Sequence, residues 1–390
     1  MRKLFSLFAA LTLSVGLWAQ SVGDKFVDET SGLKFEITAV GETNTVKVIA
    51  NHYSGTSYTV PATVSYQSVT FNVTEIGDEA FADCSGLTSV TIGNSVTTIG
   101  NDAFYGCSGL TSVTFGNSVT TIGDYAFYGC SGLTSVTIGN SVTTIGNEAF
   151  ADCSGLTSVT IGNSVTTIGN NTFYGCYGLT SVTIPNSVTT IGEGAFYGCY
   201  GLTSVTIGNS VTTIGYSAFS YCYGLTSVTI GNSVTTIGGL AFCGCSGLTS
   251  VTIPNSVTTI GDYAIYGCSG LTSVTIGNSV TTIGQGAFYG CSALTSVTFL
   301  GNACQNAIGE MAFMNVGDPD PALLTLPDNW TGTLPSEDGY WYGGKFELSK
   351  VPTALPTLFG ANVDANKFLH NGQVIIRKDN KTYNTLGAEL

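Results

Sequence analysis

The chain has almost no positive charge over most of its length. Its 390 residues include 11 Lys and Arg against 25 Asp and Glu, a net charge of -14, and no basic residue occurs between Lys47 and Lys345. Nucleic-acid binding relies on Lys and Arg displacing counterions from phosphates, so nucleic acid is excluded as a partner. Anionic membrane surfaces and sulfated glycans are disfavoured for the same reason. Histidine is nearly missing, with only His52 and His370, which leaves the many serines without a nearby base for a nucleophilic triad. Charged residues make up 9% of the chain and apolar residues 43%. Charge-driven disorder is therefore excluded, and a sizeable core can form.

Long apolar runs are also lacking. The main one, Leu4 to Leu17, follows Arg2 and Lys3 and precedes the small residue Ala19. At about 14 residues it is too short to span a bilayer comfortably. It reads as the h-region of a secretory signal over residues 1–19, cleaved before Gln20, although Leu17 at the minus-three position is an imperfect context. No Cys precedes Cys84, so a lipid-modified cysteine just after the signal is excluded. The expectation is an exported protein, secreted or on the outer cell surface, with no integral membrane span.

What is present is a repeat. Ten cysteines lie 23 residues apart, from Cys84 through Cys107, Cys130 and onward to Cys291. Phe81 and its equivalents to Phe288 keep the same step, with Ile265 substituting once. Leu87, Val90, Ile92, Val96 and Ile99 begin further columns, and one unit reads C-S-G-L-T-S-V-T-I-G-N-S-V-T-T-I-G-x-x-A-F-Y-G. Val90 and Ile92 alternate with Thr91 as in a short strand, Gly93-Asn94 turns the chain, and Val96 to Ile99 gives a second extended piece. No unit can bury its apolar set alone. Stacked coils align each column into a continuous core, and a rise of about 4.8 Å makes ten coils roughly 50 Å long. Asn94 and its equivalents to Asn278 are expected to form an amide ladder over turn backbone groups.

The pattern L-x-x-V-x-I-x-N-x-V-x-x-I-G-x-x-A-F-x-x-C closely resembles the BspA-type leucine-rich repeats of bacterial surface proteins, over about residues 76 to 316. It departs from the general leucine-rich consensus by placing Asn one residue earlier, so the curvature of better-known horseshoes does not transfer. The resemblance implies a β-rich solenoid, a right-handed leucine-rich repeat coil of about ten units. It also implies an exported or surface-attached adhesion and interaction protein, and no catalytic site.

An open solenoid end is a sheet edge and needs a cover. Residues 20–74 are expected as an N-terminal β cap, with strands at Lys34–Thr38 and Thr45–Ile49 around Gly41-Glu42. The solenoid is placed at 75–316, ending in a degenerate coil at Ile308 and Ala312-Phe313. An irregular aromatic cap and linker with Trp330, Trp341 and Tyr342 follows at 317–365, and a β-hairpin at 366–390. The segment G-Q-V-I-I-R-K-D-N-K-T-Y-N looks like the C-terminal tails of exported Bacteroidetes proteins, some similar to type IX sorting signals. A hairpin that simply packs on the cap is the alternative.

The cysteines invite metal and disulfide readings. Zinc needs closely spaced ligand pairs, and the one close pair is Cys243 and Cys245, far from either histidine. Disulfides need Cβ atoms turned toward each other, whereas one column points its side chains in parallel. Free thiols filling small buried apolar positions are expected, with Cys243 and Cys304 the most reactive. The acids Asp78, Glu79, Asp83, Asp102, Asp124, Glu148, Asp152, Glu193 and Asp262 are scattered without cationic partners. They read as solvated turns, not as a hydrolytic pair or a calcium ladder. No cofactor, metal or catalytic residue is expected.

What remains is surface. Tyr105, Tyr128, Tyr174, Tyr197, Tyr266 and Tyr289 share one column just after the core aromatic, and Tyr177, Tyr200 and Tyr223 another just after Cys. Tyr125, Tyr216, Tyr221 and Tyr263 lie nearby in sequence. Tyrosine gives amphipathic contact area at low entropy cost, so these nine are the candidate ligand-binding residues for proteins or sugar rings. The plainer alternative is that the rings only cover the apolar edge of each coil. Thr88, Ser89 and Thr91 form a second, nearly invariant face that suits a repetitive ligand or none. The leading expectation is non-catalytic binding or adhesion to extracellular proteins or glycans. The rivals are a polysaccharide-active enzyme on a β-solenoid and a structural coat, one able to bind an ordered surface such as ice.

Overall fold

A computed structural model describes residues 20–349, apart from 305–306, 318–319, 331 and 337–338. It also gives the backbone of three strands, Asn366–His370, Gln373–Lys378 and Lys381–Tyr383. The expected signal segment lies outside the described residues. Among those residues the chain forms strands and turns with no α-helix, and none is therefore long and apolar enough to cross a membrane. It winds as a β-solenoid.

Each coil has three parts. In the coil that starts at Cys199, the long strand Ser204–Ile207 buries Val205 and Ile207 and turns Ser204 and Thr206 outward. This is the alternation a half-buried strand requires. After the Gly208-Asn209 turn, the short strand Thr213–Ile214 buries Ile214. A corner then returns the chain to the next long strand. In the corner that follows Gly100, Asp102 and Gly106 have φ values of 53° and 67°. Between these left-handed positions every other N–H points along the axis. Asp102 N donates to Asp124 O at 2.9 Å, Phe104 N to Ala126 O at 2.7 Å and Gly106 N to Tyr128 O at 2.8 Å. The corner thus stacks as regularly as the strands without being one.

Equivalent strands pair in parallel at a register of one unit, such as Val182↔Val205 and Ile191↔Ile214. The number of coils exceeds the ten expected. Ser57–Val60 pairs in parallel with Ser89–Ile92, so a long-face rung precedes the first consensus unit. Ala322–Thr325 pairs with Ser296–Phe299 and then with Gly344–Leu348, adding two more. One rung before the ten and two after them give thirteen. The expected boundary at residue 75 therefore falls inside the stack. The missed rung is displaced from its neighbour by an inserted hairpin, Thr63–Tyr66 with Val69–Ile76. The region after 317, expected to be irregular, extends the sheet instead.

The ends close with aromatic clusters. At the N-terminus Phe26 stacks on Tyr66 at 4.3 Å, and Tyr53 lies 4.7 Å from Phe81, the first ring of the Phe column. The expected strands there appear as Lys34–Ala39 and Thr45–Val48. At the other end Ile308 bridges to Ile283 and Phe313 stacks on Phe288. Trp341 then lies 5.5 Å from Phe313, and Trp330 is fully buried beside Phe299. Past the cap, the segment expected as a hairpin is a three-stranded antiparallel sheet.

Between the caps the Phe rings form a continuous stack, 4.9 to 5.6 Å apart and within 13° of parallel from Phe81 to Phe242. Offset stacking at this separation adds to area burial. The widest step, Phe150 to Phe173, coincides with Thr172 in the Ala column, whose hydroxyl donates to Gly169 O.

Candidate binding surfaces

The corner that buries Phe and Cys also places the tyrosines. In the unit F-Y-G-C the Phe points into the stack, and the next side chain points out. Tyr105, Tyr174 and Tyr266 are exposed, while Tyr128, Tyr197 and Tyr289 are half-buried. The column forms stacked pairs, Tyr105 with Tyr128 at 5.0 Å, Tyr174 with Tyr197 at 5.0 Å and Tyr266 with Tyr289 at 5.3 Å. Ala151, Ser220 and Cys243 interrupt it. The second column is continuous, with Tyr177 to Tyr200 at 4.9 Å and Tyr200 to Tyr223 at 5.2 Å.

The structure joins these two columns at one place. Tyr221 lies edge-on to Tyr197 at 5.3 Å and 5.9 Å from Tyr223. Six rings therefore form one unbroken path, Tyr174, Tyr197, Tyr221, Tyr223, Tyr200 and Tyr177. Tyr221 occupies the left-handed corner position, φ 58°, where most coils carry Gly. Holding a bulky residue there costs on the order of 1–3 kcal/mol, and such strain gathers at functional sites. Sequence reading placed Tyr221 nearby without a role. Its occupation of a Gly column was the available signal. Tyr105, Tyr128, Tyr266 and Tyr289 lie outside this path, in the separate pairs.

Electrostatics at the corner come from isolated acids. The Asp152 carboxylate beside the Tyr128 hydroxyl pushes that phenol up to about 12. Tyr125 donates to Glu148 Oε1 at 3.3 Å. Burial, and then the same Asp152, raise Tyr177. Each of these phenols stays protonated and can donate a hydrogen bond at neutral pH.

A family model of the BspA type leucine rich repeat region matches residues 58–179, 166–295 and 212–318. These segments cover more than half of the chain. The chain belongs to the BspA-type leucine-rich repeat family. A leucine-rich repeat protein from Bacteroides ovatus is similar at 28% identity over 83% of this chain and 88% of that one, with a TM-score of 0.58. A leucine rich cell surface protein from Faecalibacterium prausnitzii is similar at 29% identity over 86% and 97%, with a TM-score of 0.52. The comparison with curated proteins gives no match.

In this BspA-type chain the cysteines do more than fill small apolar positions. Each thiol of the 23-residue column from Cys107 to Cys291 donates to the carbonyl of the core residue 26 positions earlier, as Cys107 does to Phe81 O at 3.0 Å and Cys199 to Phe173 O at 3.3 Å. Burial pushes Cys107, Cys153 and Cys222 up to about 12. Cys243 and Cys304, expected to be the most reactive, are after Cys84 the most accessible of the cysteines. Both are buried, burial raises both thiols, and Cys304 reaches about 11. Cys84, at the open end of the column, is the most accessible at 9%.

The solvated-turn reading of the acids also needs correction. Asp78, Asp124 and Asp262 accept the backbone N–H of the next coil at 2.7, 2.6 and 2.8 Å. Asn101, Asn147 and Asn170 continue the same ladder. These side chains satisfy turn donors. Among the described residues no group of three or more His, Cys, Asp or Glu is placed to hold a metal ion. The hydroxyl of Thr88 is likewise committed to Thr56 O, and its equivalents Thr111 and Thr203 to the coil before. On that face Ser89 and Thr91 remain outward.

Proposed function

We propose that this BspA-type protein is exported, displayed at the cell surface, and binds extracellular proteins or glycans without catalysing a reaction. The observation that carries the reading is the six-tyrosine path across the corners at Cys176, Cys199 and Cys222. It combines exposed rings and a strained Tyr221, features that suit a binding surface better than a mere cover for a coil edge. A non-catalytic role agrees with the acids, three of which are already engaged as backbone acceptors. Export rests on the signal-like residues 1–19, and we extend the proposal to the tail from Lys367 as the element that directs surface delivery. Deleting that tail is expected to shift the protein out of the surface fraction of the producing cell, and unchanged fractionation removes this part of the proposal. For the binding surface, the purified chain is tested by biolayer interferometry against extracellular matrix proteins and on glycan arrays. Saturable binding that is lost in Tyr200→Ala/Tyr223→Ala supports the reading. No saturable ligand, or binding unchanged by that variant, overturns it.

A further inference from the structure

The asparagine ladder forms as expected, but not everywhere. Asn94 Oδ1 accepts the N–H of Asn117 at 3.0 Å, and the steps 140/163, 186/209, 209/232 and 255/278 do the same. Among the described residues the steps 117/140, 163/186 and 232/255 lack this bond. The long strands separate at the same three steps. Ser112–Thr114 has no ladder to Ser135–Thr137, nor Ser227–Thr229 to Ser250–Ile253, and Ser158–Thr160 keeps a single partner pair, Ser158↔Ser181. The valines on the near side of these steps, Val113, Val159 and Val228, are only partly buried.

Two of the three interruptions coincide with a proline. The residue before Asn is usually Gly, and where coils are in register a Cβ there would meet the preceding carbonyl oxygen. That distance is 2.3 Å at Gly116, Gly162 and Gly231. At Gly139, on an interrupted step, the space is open. Pro185 and Pro254 carry a ring at this position and lack the N–H, and each stands on the far side of an open step; a Cβ alone does not open a step, because Leu300 in the same column keeps full register with the coil before it and donates its N–H to Ile276 O. At the third step the coil before the gap carries Phe115 in place of Ile.

Each proline coil borders a cleft. The one at Pro185 has a volume of about 1020 Å³ and is lined by Ile161, Asn163, Ser187 and Thr206 among others. The one at Pro254 has about 640 Å³, with Ile230, Asn232, Ser256 and Thr229. Neither lining contains a charged residue. Among the described residues, Ser187 Oγ and Ser256 Oγ are the buried side-chain polar atoms without a hydrogen-bond partner. The broken ladder steps also release the Asn163 and Asn232 side-chain carbonyls.

We propose that the clefts at Pro185 and Pro254 form a paired site for an uncharged linear polysaccharide. Hydroxyl and amide groups over an apolar floor of Ile and Pro match the alternating hydroxyls and C–H faces of a neutral sugar. Two buried hydroxyls left unpaired favour a ligand rich in hydrogen-bonding groups. The clefts are three coils apart, about 14 Å at 4.8 Å per coil, and related by translation along the axis. A ligand that fills both must itself repeat, as a polysaccharide does. A polyanion meets no cation here and is repelled by the acidic chain. This site is separate from the tyrosine path and does not rest on it.

The test is affinity electrophoresis of the full chain in native gels containing dextran, laminarin, galactomannan or arabinoxylan, with polygalacturonate and heparin as charged controls. At least one neutral polymer is expected to retard the protein, and neither polyanion. Pro185→Gly/Pro254→Gly gives both coils the residue of their neighbours, and the expected result is closure of both clefts with binding of the polymer at least about tenfold weaker. Hydrogen exchange verifies closure through new protection of the Asn186 and Asn255 amides. Pro254→Gly alone weakens binding of the polymer but not of a short oligosaccharide cut from it. Tyr200→Ala/Tyr223→Ala leaves retardation unchanged, which separates this site from the tyrosine surface. Lack of retardation by every neutral polymer, equal retardation by a polyanion, or full binding by the double Pro→Gly variant with its amides protected overturns the proposal.

Discussion

The units beginning at Cys130 and at Cys176 differ at six of 23 positions, and none of the six is a core column. Ser131 becomes Tyr177, Gly139 becomes Pro185, Asn147 and Glu148 become Glu193 and Gly194, and Ala151 and Asp152 become Tyr197 and Gly198. The Leu, Val, Ile, Ala, Phe and Cys columns are identical between the two. One unit is thus mainly scaffold, while the other adds aromatic rings at the entry to its long strand and a wedge at the exit. The lesson is a division of labour within a single repeat. Inward columns are held by stacking on both neighbours, so the differences between these two units fall at corners and turns, and the candidate binding groups lie there.

The strongest way to break this comparison is through the shared core. Phe150→Ala and Phe196→Ala each remove a fully buried ring stacked on both sides. Each is expected to cost about 3–5 kcal/mol in urea denaturation, equally in the two units. A cost confined to one unit denies that their interiors are equivalent. Cys130→Val and Cys199→Val probe the thiol bonds to Phe104 O and Phe173 O, with an expected cost of about 0.5–1.5 kcal/mol each. For the unsubstituted chain a thiol reagent should label native protein slowly and the unfolded chain at all 12 cysteines. Tyr177→Ser makes the second unit more like the first at an exposed position. Its stability should change by less than about 0.5 kcal/mol, while binding at the tyrosine surface falls. Loss of stability without loss of binding would make Tyr177 a structural cover.

The smallest expected effect separates the N-terminal coils from the rest. Glu75 is raised above the usual carboxylate range chiefly by burial, and Asp102 by desolvation and then by Glu79, Asp78 and Asp124. Both bind their proton more tightly in the folded state. Their share of stability is present at low pH and is lost as pH rises through the folded values. Lowering the pH from 7 toward the carboxylate range should therefore raise the melting temperature slightly, and Asp102→Asn should flatten that slope.

Much of the fold was legible because the core columns recur at one fixed step. A period of 23 with Val90, Ile92, Val96, Ile99 and Phe104 at constant offsets leaves stacking as the only way to bury them. The asparagine ladder was legible for the same reason. The outer rungs at Ser57–Val60, Ala322–Thr325 and Gly344–Leu348 were not, because pairing in a parallel sheet needs only a compatible strand, and an inserted hairpin or loop hides the step. The tyrosine columns could be read from offsets, but their fusion through Tyr221 could not. Residues in different columns and coils meet only when the corner geometry is known.

The sequence by itself determined that this chain stacks, which residues face inward, and that no Lys or Arg lies along the repeats between Lys47 and Lys345. These follow from periodicity and composition, which act on every coil alike. Tertiary structure decided how many rungs the stack has, that the cysteine thiols donate to core carbonyls, and that the acids at Asp78, Asp124 and Asp262 are spent on turn backbone. It also decided that the long face opens at three steps, two of them at prolines. Each of these depends on the few ångströms between one coil and the next, a distance that no single unit contains.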